Sequence, residues 1–251
     1  MRNHRGLGLV TVGLVAVLAA AGCERAGPGA ASPPTTAPIP STSAPVPATS
    51  SPAATPPATQ APAPTVIPLS AFLKLPKDMT YGESRLRADV DEALPRLCGD
   101  EFASRGATAA SAAVKTVHGL PRDPPGTVPS GVLYQTIRTY PGDGASVFMR
   151  RLRADLAACS SFTDEGNSFR VRTAPLRGVG DEALTIDLVQ PARNLPGDLV
   201  GGFQTNRAAV IRVGDTVTIL WDAEYERSNS KPAVVADFAR RAVATIHAWR
   251  R

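Results

Sequence analysis

The chain has 251 residues, 20% of them charged and 43% hydrophobic, and its formal net charge is +5. The positive charge is spread along the sequence without a basic block, so nucleic acid is not an expected partner. No Gly-x-Ser-x-Gly elbow, His-Glu-x-x-His helix or Walker-type loop is present, and the sequence predicts no cofactor, no metal site and no catalytic residue.

The first 22 residues have the organisation of an export signal. Arg2 and Arg5 precede an apolar run from Leu7 to Ala21, which at about 15 residues is shorter than the ~20 that a spanning helix needs. Ala20-Ala21-Gly22 directly precedes Cys23, and this pattern resembles a bacterial lipobox. The resemblance implies lipidation of Cys23, cleavage before it, and anchoring at the extracytoplasmic face of the cell membrane. A plain secretory signal is the alternative.

Residues 23–68 are predicted to form a disordered tether. From Ala26 to Leu73 the chain has no Asp, Glu, Lys or Arg and consists almost wholly of Pro, Ala, Ser and Thr. Such a segment has too little apolar side chain to offset the entropy of ordering it. Its prolines favour extended polyproline II, so about 45 residues could reach ~140 Å from the membrane. The tether is either unmodified or O-glycosylated.

Residues 69–251 are enough for one domain, and three amphipathic helices are predicted in it from the spacing of apolar residues. The first runs from Leu86 to Leu97, with Pro95 disturbing its last turn. The second begins after Asp143, a plausible N-cap, and ends near Cys159. The third begins at Pro232, a favoured first-turn residue, and continues to the C-terminus.

Between the helices the sequence predicts strands and mostly antiparallel pairing. The segments are Ala113–Val117, Val132–Tyr140, Phe169–Arg172, Ala183–Val189, Ala208–Val213 and Thr216–Trp221. The last two flank Gly214-Asp215, which is typical of a two-residue hairpin. The predicted fold class is therefore α+β, a mostly antiparallel sheet with about three helices packed on one face.

Two cysteines remain once Cys23 is assigned to lipid. Cys98 and Cys159 are an even pair in an exported domain, which favours a disulfide. Closing a loop of about 60 residues stabilises by ~4 kcal/mol in the chain-entropy model. The alternative, Cys98 as a nucleophile with His118 as its base, has no further residue to support it.

Each remaining candidate residue can be explained either by a structural role or by a functional one. His118 is expected in a surface turn and His247 beside the apolar stripe of the last helix, which leaves little basis for a shared metal site. Asp181 and Glu182 could act as an acid/base pair or bind a cation, but adjacent carboxylates after a glycine favour a solvated turn. Arg207 and Arg212 could bind an anion, although exposed strand arginines usually keep an edge soluble.

Several motifs together resemble a known module. These are Tyr134–Tyr140 followed by Pro141-Gly-Asp-Gly-Ala and a helix ending at Cys159, then Gly178-Val-Gly-Asp-Glu-Ala183, and Arg212-Val-Gly-Asp-Thr-Val217. They are similar to the extracellular sensor-like domain of mycobacterial PknH-type kinases and related actinobacterial lipoproteins. The resemblance implies a cleft-bearing α+β domain that binds an unidentified ligand. The kinase domain has two disulfides, whereas this chain offers one pair.

These observations favour a membrane-anchored lipoprotein whose domain binds or senses a cell-envelope ligand or partner protein, rather than an enzyme. The alternative is a cell-envelope hydrolase with an unrecognised carboxylate site, because acid/base chemistry needs no special motif. A cluster of titratable groups within one pocket would favour the hydrolase. An apolar cleft with few polar groups would favour the binding module.

Overall fold

The computed structural model describes most of the chain from residue 62 onward. The described ranges are 62–79, 81, 85–99, 101–102, 108–124 and 126–251. The predicted signal peptide, Cys23 and the predicted tether up to residue 61 therefore lie outside the described residues. Within the described ranges, no helix is long and apolar enough to cross a membrane.

Eight strands and two α-helices make up the described domain, together with short 3-10 turns at Leu69–Ala71 and Lys77–Met79. In chain order the elements are β1 (Leu86–Ala88), β2 (Ala110–His118), β3 (Gly131–Thr139), α1 (Gly144–Ala158), β4 (Ser161–Asp164), β5 (Asn167–Pro175), β6 (Glu182–Arg193), β7 (Leu199–Val213), β8 (Thr216–Ala223) and α2 (Pro232–Arg250).

The eight strands form one antiparallel sheet in the order β1-β2-β3-β8-β7-β6-β5-β4. Strands β4 to β8 are a run of hairpins, and β8 then pairs with β3, so β1 and β4 are the edges. The turn at Gly214-Asp215 joins β7 to β8 as predicted, with Gly214 at a φ of +59° that favours glycine. The α+β class and the antiparallel pairing are confirmed.

The two helices lie on opposite faces of this sheet, so the prediction that all helices share one face was wrong. On one side, which we call the α2 face, Phe238 and other apolar residues of α2 pack against Ala209 and Ile211 of β7. On the other, the α1 face, Met149 of α1 packs with Ala208 and Val210. Successive strand residues point to opposite faces, and here both sets are apolar, so each face needs a cover.

The predicted helix from Leu86 to Leu97 is not formed. Its first residues form β1, which pairs with β2, and the chain then makes a single turn closed by the Ala93 N–H on the Asp89 carbonyl. The Asp89 carboxylate accepts the N–H of Asp91, a local bond that competes with helix continuation, and Pro95 has no N–H to donate. Leu94 and Leu97 are nevertheless buried on the α1 face.

The predicted strands all fall on observed ones, but two strands were missed and five of the six predicted ones are longer than expected. The short edge strands β1 and β4 carry no clear alternation. Strand β7 begins nine residues earlier than the predicted Ala208, since Gly201 and Gly202, both at positive φ, interrupt the periodicity there.

The chain just before the domain boundary predicted at Leu69 also packs on the sheet. Ile67 is buried, and the Pro64 carbonyl accepts a hydrogen bond of 2.7 Å from the Thr139 hydroxyl. Further on, the Leu73 N–H donates to the side chain of Gln135 at 2.9 Å. These contacts fix the stretch 64–73 to the domain.

Candidate functional site

A cleft of about 700 Å³ opens on the α1 face. It lies between the segment 91–96, the β4–β5 hairpin and one end of strands β6, β7 and β8. Its volume is within the range of small-molecule sites in proteins. A smaller cleft of about 480 Å³ lies beside the same segment and shares Leu94, Arg96 and Phe162 with it.

The sheet supplies the floor of this cleft. Leu188 of β6 is directly opposite Asn206 of β7, and Trp221 of β8 is opposite Ala208, so these side chains point to the same face. Trp221 stacks on Tyr134 of β3 with ring centroids 5.4 Å apart. The floor therefore combines aromatic and aliphatic surface with an amide.

The β4–β5 hairpin supplies one aromatic wall. Phe162 and Phe169 are cross-strand partners, and their rings stack with centroids 4.9 Å apart at an interplanar angle of 9°. Both rings are only partly buried, because the hairpin is at the edge of the sheet. Leu94 from the segment 91–96 also lines the cleft.

Two polar atoms of floor residues have no hydrogen-bond partner among the described residues. They are the indole Nε1 of Trp221, a donor, and the Oδ1 of Asn206, an acceptor. Buried polar groups in folded proteins are nearly always hydrogen-bonded, and an unpaired one costs about 1–3 kcal/mol. A ligand with both donor and acceptor groups would satisfy the pair.

Charged side chains surround the mouth. Five are carboxylates and two are guanidinium groups: Asp91, Glu92, Asp164, Glu165, Glu224, Arg96 and Arg227. Arg96 bridges Asp164 and Glu165 at 3.9 Å each, which links the two walls. Glu224 is held by Arg227 at 3.2 Å and by the side chain of Gln204. The rim therefore keeps a surplus of three negative charges.

The predicted disulfide is present and positions this cleft. Cys98 and Cys159 are bonded, with Cα atoms 5.7 Å apart. Cys98 follows the segment 91–96 and Cys159 is the C-cap of α1, two residues before β4 begins. The bond thus joins the two walls, although Cys98 lies in a loop and not at the end of a helix. Because both sulfurs are bonded, Cys98 is not a free nucleophile.

His118 is not in a surface turn, so that prediction was wrong. It is the last residue of β2, it is buried on the α2 face, and its Nε2 lies 2.6 Å from Oδ1 of Asp222. The edge of its ring meets Phe238 at 5.1 Å. Gly131 is its strand partner, and a Cβ there would lie 2.7 Å from both the His118 and the Asp222 side chains. The pair is enclosed and has a structural role.

The two histidines do not form a common site. His118 contacts Phe238 near the middle of α2, whereas His247 is exposed nine residues further along that helix, which is about 13 Å of axial rise. Neither residue lines the cleft.

Asp181 and Glu182 are in ion pairs outside the cleft. The Asp181 carboxylate accepts the Gly214 N–H at 2.7 Å and an Arg212 N–H at 3.1 Å, and Glu182 pairs with Arg153 at 2.8 Å. Arg212 also lies 3.5 Å from the Glu182 carboxylate, so it bridges the two acids. The expected solvated turn fits Asp181, which is exposed next to Gly180.

Arg207 and Arg212 are not edge residues, so their predicted role in keeping an edge soluble was wrong. Both lie on β7, which has neighbours on both sides. Arg207 forms a two-bond pair with Asp187 of β6, in which Nη2 is 2.7 Å from Oδ2. The pairing of β6 with β7 was not predicted from the sequence. This pairing places acidic residues of β6 directly opposite the two arginines and neutralises them.

The cleft residues themselves were not identified from the sequence. Trp221 was the last residue of a predicted strand, but Asn206 fell outside the predicted strand Ala208–Val213. The hairpin at Gly214-Asp215 could have paired Trp221 with Ala208, which would place Asn206 on the same face. No feature of the sequence indicated that the segment 91–96 lies at this end of the sheet.

No family model matches this sequence, and no curated protein or solved structure shows significant similarity to it. The resemblance to PknH-type sensor domains stays a prediction from motifs.

Proposed function

We propose that the protein is a lipid-anchored, extracytoplasmic binding module that takes up a cell-envelope ligand in the cleft on the α1 face. The observation that carries this proposal is the cleft floor, where an indole N–H and an amide oxygen lack partners beside aromatic surface. Concave sites with an aromatic lining and a few directed polar groups are typical of ligand binding.

The placement of the carboxylates supports binding over hydrolysis. Asp91, Glu92 and Glu165 are exposed at the rim, and Asp164 and Glu224 are partly exposed there. A general acid is usually desolvated or placed beside a like charge, which tunes its pKa for the task. Here Arg96 lies between Asp164 and Glu165, and the floor residues carry no titratable carboxylate.

The lipid anchor is the second part of the proposal, and it rests on Cys23 and its flanking residues. A diacylated cysteine holds firmly to a bilayer, and a long charge-free tether lets the domain search the wall zone at high effective concentration. Labelled fatty acid should enter the wild type and not Cys23→Ala, which should remain a precursor or be shed. Equal, unlabelled membrane retention of both would contradict the anchor.

A thermal-shift screen tests the binding proposal. The full chain, purified in detergent, is incubated with envelope glycans, lipids and peptides, and a ligand of the folded state should raise the midpoint of unfolding. Trp221→Ala should abolish the shift, because the indole forms part of the floor. Trp249→Ala is the matched control, since it removes an indole that packs on the α2 face.

The outcomes separate the two candidate functions. A shift that survives Trp221→Ala would place binding elsewhere and contradict the proposal. Turnover of a ligand that is abolished by Asp164→Asn or Glu224→Gln, two carboxylates that line the cleft, in a folded protein would instead establish the hydrolase.

A further inference from the structure

We infer that the cleft recognises a ligand that carries a protonated amine and at least one hydroxyl or other acceptor oxygen. The inference rests on the proposed function, namely that this cleft binds a ligand, and it specifies the chemical class. Three independent features of the site carry it: the charge of the rim, the aromatic surface, and a buried acceptor without a partner.

The rim is acidic on a chain that is basic overall. Its five carboxylates outnumber its two arginines, whereas the whole chain has a formal charge of +5. Asp91 and Glu92 have no ion pair among the described residues, so their charge is directed to solvent at the mouth. A cleft lined mainly by one sign of charge attracts ligands of the opposite sign and repels like ones. Phosphates and free carboxylates are therefore disfavoured.

The aromatic surface fits the same ligand. Trp221, Phe162 and Phe169 line the cleft, and the faces of indole and phenyl rings attract cations, with tryptophan the strongest. The contribution is about 0.5–2 kcal/mol when the cation is partly desolvated. An amine held between this surface and the rim carboxylates would form a cation–π contact with the rings and ion pairs with the carboxylates.

The buried acceptor is the most specific of the three features. Asn206 retains only 9% of its accessible surface, lines the cleft, and its Oδ1 has no partner within the described part of the chain. An oxygen in this position needs a donor, which an ammonium group supplies. The Trp221 Nε1 is a donor and needs an acceptor, which a hydroxyl supplies. An amino sugar or a hydroxylated amine has both.

The first experiment compares a probe that has free amines with one whose amines are acetylated. Binding of the full chain to a glucosamine tetramer and to an N-acetylglucosamine tetramer is measured by calorimetry, because the two have the same rings and length and differ in the amine. We expect the glucosamine tetramer to bind about tenfold more tightly, and its affinity to fall as salt is raised. Spermidine, an amine without a ring, should bind measurably but more weakly.

The second experiment varies the protein. Asp91→Asn with Glu92→Gln should weaken glucosamine-tetramer binding about three- to tenfold. Asp78→Asn with Asp237→Asn, which removes two carboxylates from elements on the α2 face, should leave it unchanged. At the floor, Asn206→Leu should abolish binding, whereas Asn206→Asp keeps an acceptor oxygen and should retain it.

The outcomes distinguish this inference from the proposed function. Equal binding of the two tetramers, both lost in Trp221→Ala, would overturn the amine inference and support the binding site. Failure of both amine probes, with another envelope ligand bound in a Trp221-dependent way, would also overturn it. Retained binding in Asn206→Leu would contradict the assigned role of the buried acceptor.

Discussion

On the α2 face a 19-residue helix covers the centre of the sheet and the core continues without a break, whereas on the α1 face the cover is incomplete. There, the 15-residue α1 together with Leu94, Leu97 and Phe102 buries one end of the sheet and leaves the other open as the cleft. The same strands therefore serve two purposes. One face is fully covered, and the other leaves aromatic and amide groups in an open cleft, where we propose that a ligand binds.

The polar groups of the two faces show the same contrast. On the α2 face, the buried His118 and Asp222 satisfy each other at 2.6 Å. On the α1 face, Trp221 and Asn206 each have an unpartnered atom on the cleft floor. Paired buried polar groups stabilise a fold, whereas the two unpaired atoms on the cleft floor are, in our proposal, met by a ligand.

The largest expected effect comes from comparing two phenylalanines, one on each face. Phe238→Ala should lower the free energy of unfolding by about 3–5 kcal/mol, because the ring is fully buried and a cavity would remain. Phe162→Ala should cost only about 1 kcal/mol, since its ring is partly exposed in the cleft wall. Urea unfolding of both variants measures this. Equal losses would contradict the division between the faces.

Removal of the disulfide should affect both stability and the cleft. Cys98→Ala with Cys159→Ala should cost about 2–5 kcal/mol, because a 61-residue separation is no longer closed in the unfolded chain. It should also weaken ligand binding, since the bond joins the two cleft walls. Intact mass after alkylation should show no free thiol at these positions in the wild type. Binding unaffected by the double substitution would show that the walls are held by other contacts.

A smaller effect is expected from alkaline pH at the closed end of the α1 face. Burial raises the pKa of the Tyr140 phenol above 10.0, which the charges of Arg138 and Arg151 only partly offset. Between pH 10 and the raised pKa the folded state keeps this proton while the unfolded state loses it, so stability should fall as pH rises. Tyr140→Phe should remove this part of the pH-dependent loss of stability. Free energies of unfolding measured from pH 9 to pH 11 would show it. A pH dependence identical in both proteins would contradict the assignment.

The sequence predicted the elements whose patterns are local. Helices α1 and α2 begin where Asp143 and Pro232 indicate, and the β7–β8 hairpin forms at Gly214-Asp215. The segment after Leu86 misled because its apolar spacing is helical, while Asp89 and Pro95 favour turns. The positions of Leu94 and Leu97 are set by their packing against the sheet. Long-range packing of this kind overrides local periodicity.

The site could not be predicted for the same reason. Its residues come from a turn-rich segment, an edge hairpin and three neighbouring strands, which only the sheet order brings together. The disulfide was predictable from the number of cysteines and the predicted export of the domain, but its role in joining the cleft walls was not. The side of the sheet on which each helix packs depends on which strand face is apolar, and in β7 both faces are.

The central claim, that the open face binds and the covered face stabilises, can be tested through the two tryptophans, one on each face. Trp249→Phe leaves Trp221 as the sole indole, and Trp221→Phe leaves Trp249. Titration of each variant with the glucosamine tetramer should change the emission of Trp221 in a saturable manner and leave that of Trp249 unchanged. A saturable change in the emission of Trp249 alone would contradict the account.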